Sequence, residues 1–185
     1  MSVPLARRVL PVARLLAAVG LTVALVTGCD PLGRPTLEAA FGARASDGKL
    51  HFWTGSTCHD VIGLGLTFDA YKQDTRTELA MTAPKPGVDV DRFTLGEPVP
   101  GLTVTTPLPK NFDWQKAEAV RINVDGSGEL GGWGTTTELA EVIENSASHP
   151  DDTYWFQGVG WLNPDEVAEQ DGKTFLATCT SEPPK

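Results

Sequence analysis

The sequence predicts a mainly-β domain: a single β-sandwich with one inserted α-helix. Three observations carry this. Apolar residues alternate with polar or small ones over several short stretches, as in strands with one buried face. Fourteen prolines and nineteen glycines in 185 residues supply many turns and disfavour a helical bundle. One stretch, Thr135 to Asn145, has helical spacing behind a start signal. About seven or eight short strands separated by turn signals suggest two facing sheets, immunoglobulin-like in layout.

The chain opens on a segment outside that fold. Residues 1–28 hold Arg7, Arg8 and Arg14 and no acidic residue, and an uncharged run extends from Leu15 to Val26. A basic start, a short apolar stretch and small residues beyond it form the signal-peptide pattern. The run is shorter than the roughly 20 residues that span a bilayer. It ends in Leu25-Val26-Thr27-Gly28-Cys29, which resembles the lipobox of bacterial lipoproteins: an aliphatic residue, a small residue, Gly or Ala, then the modified cysteine. The resemblance covers the leader and Cys29 alone. It implies that the Cys29 thiol receives a diacylglyceryl group and that cleavage frees its amine for a further acyl chain such as palmitate. Asp30 resembles the inner-membrane retention signal of Gram-negative lipoproteins, whereas the Ala-, Gly-, Pro- and Asp-rich composition looks like that of a high-GC actinobacterium. Both place the protein on the outer face of the plasma membrane, anchored through lipid on Cys29. Two or three acyl chains anchor stably where one is marginal.

The chain carries 15 basic and 24 acidic residues, a net charge of −9. Loss of the leader's three arginines leaves twelve basic residues against 24 acidic, a net of −12. An acidic domain of this kind argues against nucleic-acid binding, which needs a basic face. It is also repelled by an anionic leaflet, so the lipid must do the anchoring.

Residues 29–48 read as the lipidated cysteine and a flexible tether, with Pro31, Gly33, Pro35, Gly42 and Gly48. Within it, Leu37–Phe41 could dock on the domain or form a helical turn. The folded domain is expected over residues 49–180. Leu50, Phe52 and Thr54 start a strand that enters a Gly55-Ser56-Thr57 turn. Ile62, Leu64, Leu66 and Phe68 alternate cleanly, and Gly63 and Gly65 on the other face invite close packing. Thr77–Met81 is a strand or a helical turn, stopped by Pro84 and Pro86. Phe93–Leu95, Leu102–Thr105 and Val120–Val124 read as further strands. Thr135 to Glu138 fits a capping box. Beyond it Leu139, Val142 and Ile143 share a face, opposite Glu138, Glu141 and Glu144. Asn163-Pro164 can open a second helical turn. Tyr154–Leu162 and Thr174–Thr178 return to strand, and residues 181–185 form a loose tail.

With Cys29 assigned to lipid, Cys58 and Cys179 remain, and an exported domain with two cysteines usually pairs them. The bond requires Cα atoms about 4.4–6.8 Å apart, so the first and last strands must be near neighbours. The alternative is a metal or catalytic site at Cys58-His59, a poor ligand set because adjacent strand residues point to opposite faces.

Other chemistry is thinly represented. Asn123, Asp125 and Ser127 resemble the opening of a calcium loop, but position twelve is Gly134 where a bidentate Glu is needed. No P-loop, dinucleotide-binding glycine pattern, zinc spacing or haem motif appears, so no cofactor or metal is expected. His51, His59 and His149 sit in unrelated contexts, and the acidic pairs Asp89/Asp91 and Asp151/Asp152 read as solvated loops. The five tryptophans are more suggestive. Trp53, Trp114 and Trp133 fall in strand or turn contexts. Trp155 and Trp161 share one face of a strand run and are the candidate ligand-facing aromatics. Sequence alone leaves open whether each packs in the core or binds a partner. The expected function is a non-enzymatic binding or envelope-interaction module, with an envelope protein or glycan as partner. The alternative is a secreted hydrolase of unfamiliar type, which would need a histidine or acid pair to converge with a nucleophile.

Overall fold

The computed structural model describes residues 37–126 and 133–182. The leader, Cys29, Ser127–Gly132 in the calcium-like stretch and residues 183–185 lie outside them. Among the described residues no helix is long and apolar enough to cross a membrane.

The fold is mainly β. The first strands are β1 (Ala39–Ala40) and β2 (Gly42–Ser46), and β2 pairs antiparallel with the start of β3 (Lys49–Phe68). The tether expected up to residue 48 is therefore too long: the folded chain is under way by Ala39. Burial is the reason. Phe41 and Ala43 are fully buried. Gly42 between them lies so close to Tyr154 and Phe156 that an added Cβ would stand 2.7–3.0 Å from their atoms. In sequence this stretch has no β-branched residue to announce a strand, only small alanines around one phenylalanine.

β3 runs for twenty residues and bends in the middle. Its first half lies between β2 and β5 (Val88–Thr94), and its second half between β4 (Thr77–Thr82) and β7 (Ala119–Gly126). Register shifts fall between Trp53 and Val61, where Gly55 and Asp60 have φ of 81° and 55°. A bulge of this kind turns a strand and changes which residues face inward. Val61 is consequently fully buried, while Ile62, expected on the core face with Leu64, Leu66 and Phe68, is only half-buried. The close packing expected over the glycines comes from Asp125 above Gly63 and Asn123 above Gly65.

Outward from this spine, β6 (Thr103–Thr106) extends from β4, and β8 (Trp133–Glu138) extends from β7. The hairpin of β9 (Tyr154–Phe156) and β10 (Gly160–Leu162) extends from β2. These make one nine-stranded antiparallel sheet. One apolar cluster takes Phe41, Leu50 and Phe52 from the first half and Leu64, Leu66, Val120 and Ile122 from the second. A second cluster, with Trp53, Phe156, Leu162 and Phe175, forms on the opposite face of the β2–β3–β9 region, because neighbours such as Phe52 and Trp53 point opposite ways.

Among the described residues two helices are inserted: α1 (Leu139–Asn145), and α2 (Pro164–Gln170) where Asn163-Pro164 is expected to open a second helical turn. α1 buries Leu139 and Val142, but Ile143 is left exposed. The capping box expected at Thr135–Glu138 does not form. Those residues belong to β8, paired with Ala119–Ile122, and α1 begins behind Glu138 with no side-chain cap. Ladder bonds along β7 displace the local capping preference. The capping box occurs at α2 instead. Asn163 Oδ1 accepts the Glu166 N–H at 3.0 Å, Glu166 Oε2 accepts the Asn163 N–H at 2.8 Å, and Pro164 follows the cap. With Val167 as its one buried residue, α2 offers no helical periodicity to read.

Cys58 and Cys179 form a disulfide, their Cα atoms 5.2 Å apart across 121 positions. The closing strand β11 (Leu176–Ala177) pairs in parallel with β1. The Thr178 N–H donates to the Thr54 carbonyl at 2.9 Å. An added Cβ on Gly55 would lie 2.9 Å from that of Ala177. The chain's end is thus laid along the bend of β3, which brings the two cysteines together.

Candidate functional site

The run expected as one strand over Tyr154–Leu162 is a hairpin, turned through Gly158 and Gly160 at φ of 77° and 130°. Trp155 and Trp161 are direct cross-strand partners, so the turn preserves their shared face. Their ring centroids are 5.9 Å apart, inclined by 51°. Both are half-buried. The imidazole of His149 stacks on Trp161 at 4.3 Å and 14°. Trp161 Nε1 donates to Glu141 Oε1 at 3.0 Å, and Trp155 Nε1 to Gln157 Oε1 at 3.4 Å. Gln157 Oε1 also accepts the Glu138 N–H at 3.0 Å. The hairpin, α1 and the segment after α1 thereby assemble three aromatic rings, a carboxylate and an amide at one place on the surface.

Buried polar groups hold this assembly. Ser146 Oγ accepts the Ala45 N–H at 2.9 Å and donates to the Val142 carbonyl at 2.6 Å, tying the end of α1 to β2. Arg44, only 4% exposed, fixes the next segment. Its Nη1 donates to the carbonyls of Pro150 and Thr153 at 2.8 and 3.1 Å. Its Nη2 donates to the His149 carbonyl and to Asp151 Oδ1, both at 3.1 Å. A planar guanidinium suits this fan of acceptors. Sequence reasoning missed Arg44, His149 and Glu141 as members of the site. The one available signal is an arginine inside an otherwise small and apolar strand.

The remaining candidates lie elsewhere. Trp53 is buried at 5% exposure, with Nε1 donating to Asp91 Oδ1 at 2.9 Å. Trp114 packs against the main core and donates to the Gly48 carbonyl at 3.4 Å, and Trp133 belongs to β8. The three histidines do not meet: His51 Nδ1 bonds Thr94 Oγ1 and His59 Nδ1 bonds Asp89 Oδ1, each at 3.0 Å. Asp89 and Asp91 are divided between His59 and Trp53. Among the described residues no three His, Cys, Asp or Glu side chains gather as a metal site.

Two hollows lie beside β5. One, of about 320 Å³, opens between β4, β6 and the following loop and is lined chiefly by apolar side chains. Its neighbour, of about 250 Å³, includes His51, Arg92, Thr94 and Glu97. At its rim Lys49 and Glu97 pair at 2.6 Å. The hydrogen bond and charge of Lys49 hold the Glu97 carboxyl below its ordinary pKa, and Glu97 raises that of the ammonium.

No protein-family model, curated protein or solved structure matches this chain.

Proposed function

We propose that this protein is a lipoprotein, held by acyl chains on Cys29 at the outer face of the plasma membrane, whose β domain binds an envelope glycan at the Trp155–Trp161 face. The domain itself is read as a sandwich, immunoglobulin-like in its layering. In support, one core takes side chains from both halves of the bent sheet. The anchoring reading rests on the Leu25–Cys29 motif after a short apolar run, and the Cys58–Cys179 bond suits an oxidising compartment.

The observation that carries the binding reading is the half-exposed tryptophan pair with Glu141 and Gln157 at its edge. Aromatic rings cover the C–H faces of a sugar, while a carboxylate and an amide accept from or donate to its hydroxyls.

Two results are expected. Cys29→Ser should release an unlipidated protein or leave the precursor with its leader. A variant that partitions into detergent like wild type, with the same mature mass, rules the anchor out. In co-sedimentation with insoluble cell-wall polysaccharide, Trp161→Ala should weaken retention by roughly thirtyfold, the effect of losing an anchor worth about 2 kcal/mol. Equal retention of wild type and variant removes the glycan site.

A further inference from the structure

The cleft beside β5 is independent of both the anchor and the tryptophan face. Leu66, Leu79, Met81, Val99, Leu102 and Val104 are among the side chains that line its volume of about 320 Å³. The first four are each less than a tenth exposed, so the hollow runs in from the surface to the main core. Interiors normally close up, because an open apolar hollow forfeits dispersion contacts along its walls. Here the wall is stiffened by Pro98 and Pro107, whose rings fix φ and resist collapse. The other side is the edge strand β6, where Val104 is 50% exposed at the mouth. The volume falls at the lower end of the ~300–1,000 Å³ common for small-molecule sites. That suits one alkyl chain and excludes a diacyl lipid.

The adjoining hollow supplies the opposite chemistry. It shares Phe93, Thr94, Glu97, Pro98 and Val99 with the cleft and adds His51 and Arg92. Glu97 is already neutralised by Lys49, and the neighbouring Asp91 accepts from Trp53. Arg92 makes no ion pair among the described residues. Its guanidinium lies over the rings of Trp53 and Tyr154, 4.6 and 5.8 Å from their centroids. In a chain of net charge −9, a cation without a carboxylate partner beside an apolar cleft is complementary to an anionic head. We propose that the two hollows together bind a single-chain carboxylate amphiphile, its alkyl chain in the cleft and its head at Arg92.

Isothermal titration of the full chain below the micelle concentration tests this with three probes: dodecanoate, dodecyltrimethylammonium and acetate. Dodecanoate should bind with one-to-one stoichiometry, at least about tenfold tighter than the cation, since a carboxylate on arginine forms strong charge-assisted hydrogen bonds. Acetate should show no binding. Val104→Trp, which fills the mouth from an exposed position, should weaken dodecanoate about tenfold. Leu108→Trp serves the same purpose if the first variant melts early. Arg92→Gln should weaken dodecanoate by a similar factor and leave the cation unchanged, a split that a merely structural role would not produce. The proposal is overturned by no saturable dodecanoate binding, by equal affinity for the two head charges, or by folded tryptophan variants that bind like wild type.

Discussion

Replacing Cys58 and Cys179 together by serine is expected to lower the melting temperature by roughly 5–15 °C, the scale of a 2–5 kcal/mol loss in a domain of this size. The bond spans 121 positions, so in the unfolded chain it removes the entropy of a very large loop, about 4.7 kcal/mol in the chain-entropy account. It also reinforces the docking of the closing segment, where Thr178 bonds Thr54 and Phe175 packs in the second cluster. β11 is two residues long and pairs with another two-residue strand. Beyond it, Thr180 Oγ1 bonds Asp171 Oδ2 at 2.6 Å. Cys58 is 1% exposed, so a serine there also buries a hydroxyl. Against a total of about 5–15 kcal/mol for a typical domain, the loss is large. Thermal melts followed by circular dichroism, with and without reductant, check it. Coincident curves for wild type in both conditions would show that the bond contributes nothing.

The second large effect is expected at Arg44. Arg44→Met keeps the length and apolar stem of the side chain but removes every donor. The carbonyls of His149 and Thr153 then lose their partner, while that of Pro150 keeps the N–H and Oγ1 of Thr153. Each buried acceptor left unpaired costs about 1–3 kcal/mol, less where the segment can relax toward water, giving an expected total of about 2–4 kcal/mol. Asp151→Asn should change the melting temperature little, because that carboxylate is fully exposed and its side-chain area is 103% of the reference value. A comparable loss for both variants would mean that the ion pair, rather than the fan of backbone carbonyls, holds the segment. Arg44→Met should also free His149 from Trp161, seen as a change in tryptophan emission in the folded state. Unaltered emission would show that the stacking needs no support from Arg44.

The parts of this fold that were legible are those where one residue type answers to one physical demand. Leu64, Leu66 and Phe68 alternate because half a sheet is buried, and that pattern survives intact. Ile62 departs from it because a bulge between Cys58 and Val61 shifts the register, and nothing in the local sequence distinguishes a bulge from a turn there. Gly55 was legible as a turn residue, but its positive φ serves to bend a continuing strand. Thr135–Glu138 carries a genuine capping pattern that β7 overrides with ladder bonds, whereas Asn163 and Glu166 carry one that no competitor disturbs.

The candidate site divides in the same way. That Trp155 and Trp161 share a face follows from their even spacing and holds whether the run is one strand or a hairpin. That His149 covers Trp161, that Glu141 takes its N–H and that Arg44 pins the segment between them could not be read, because those residues come from four separate stretches. Composition alone carries the strand-rich class and the acidic charge, because neither refers to geometry, and the compartment argument points to Cys58 and Cys179 as partners, a pairing that the 5.2 Å between their Cα atoms establishes. That Ala39–Ser46 joins the sheets, that β3 bends to serve both halves and that an apolar cleft opens beside β5 are outcomes of long-range packing. Those outcomes depend on which distant surfaces meet, and burial is settled by the partner a segment finds rather than by its own residues.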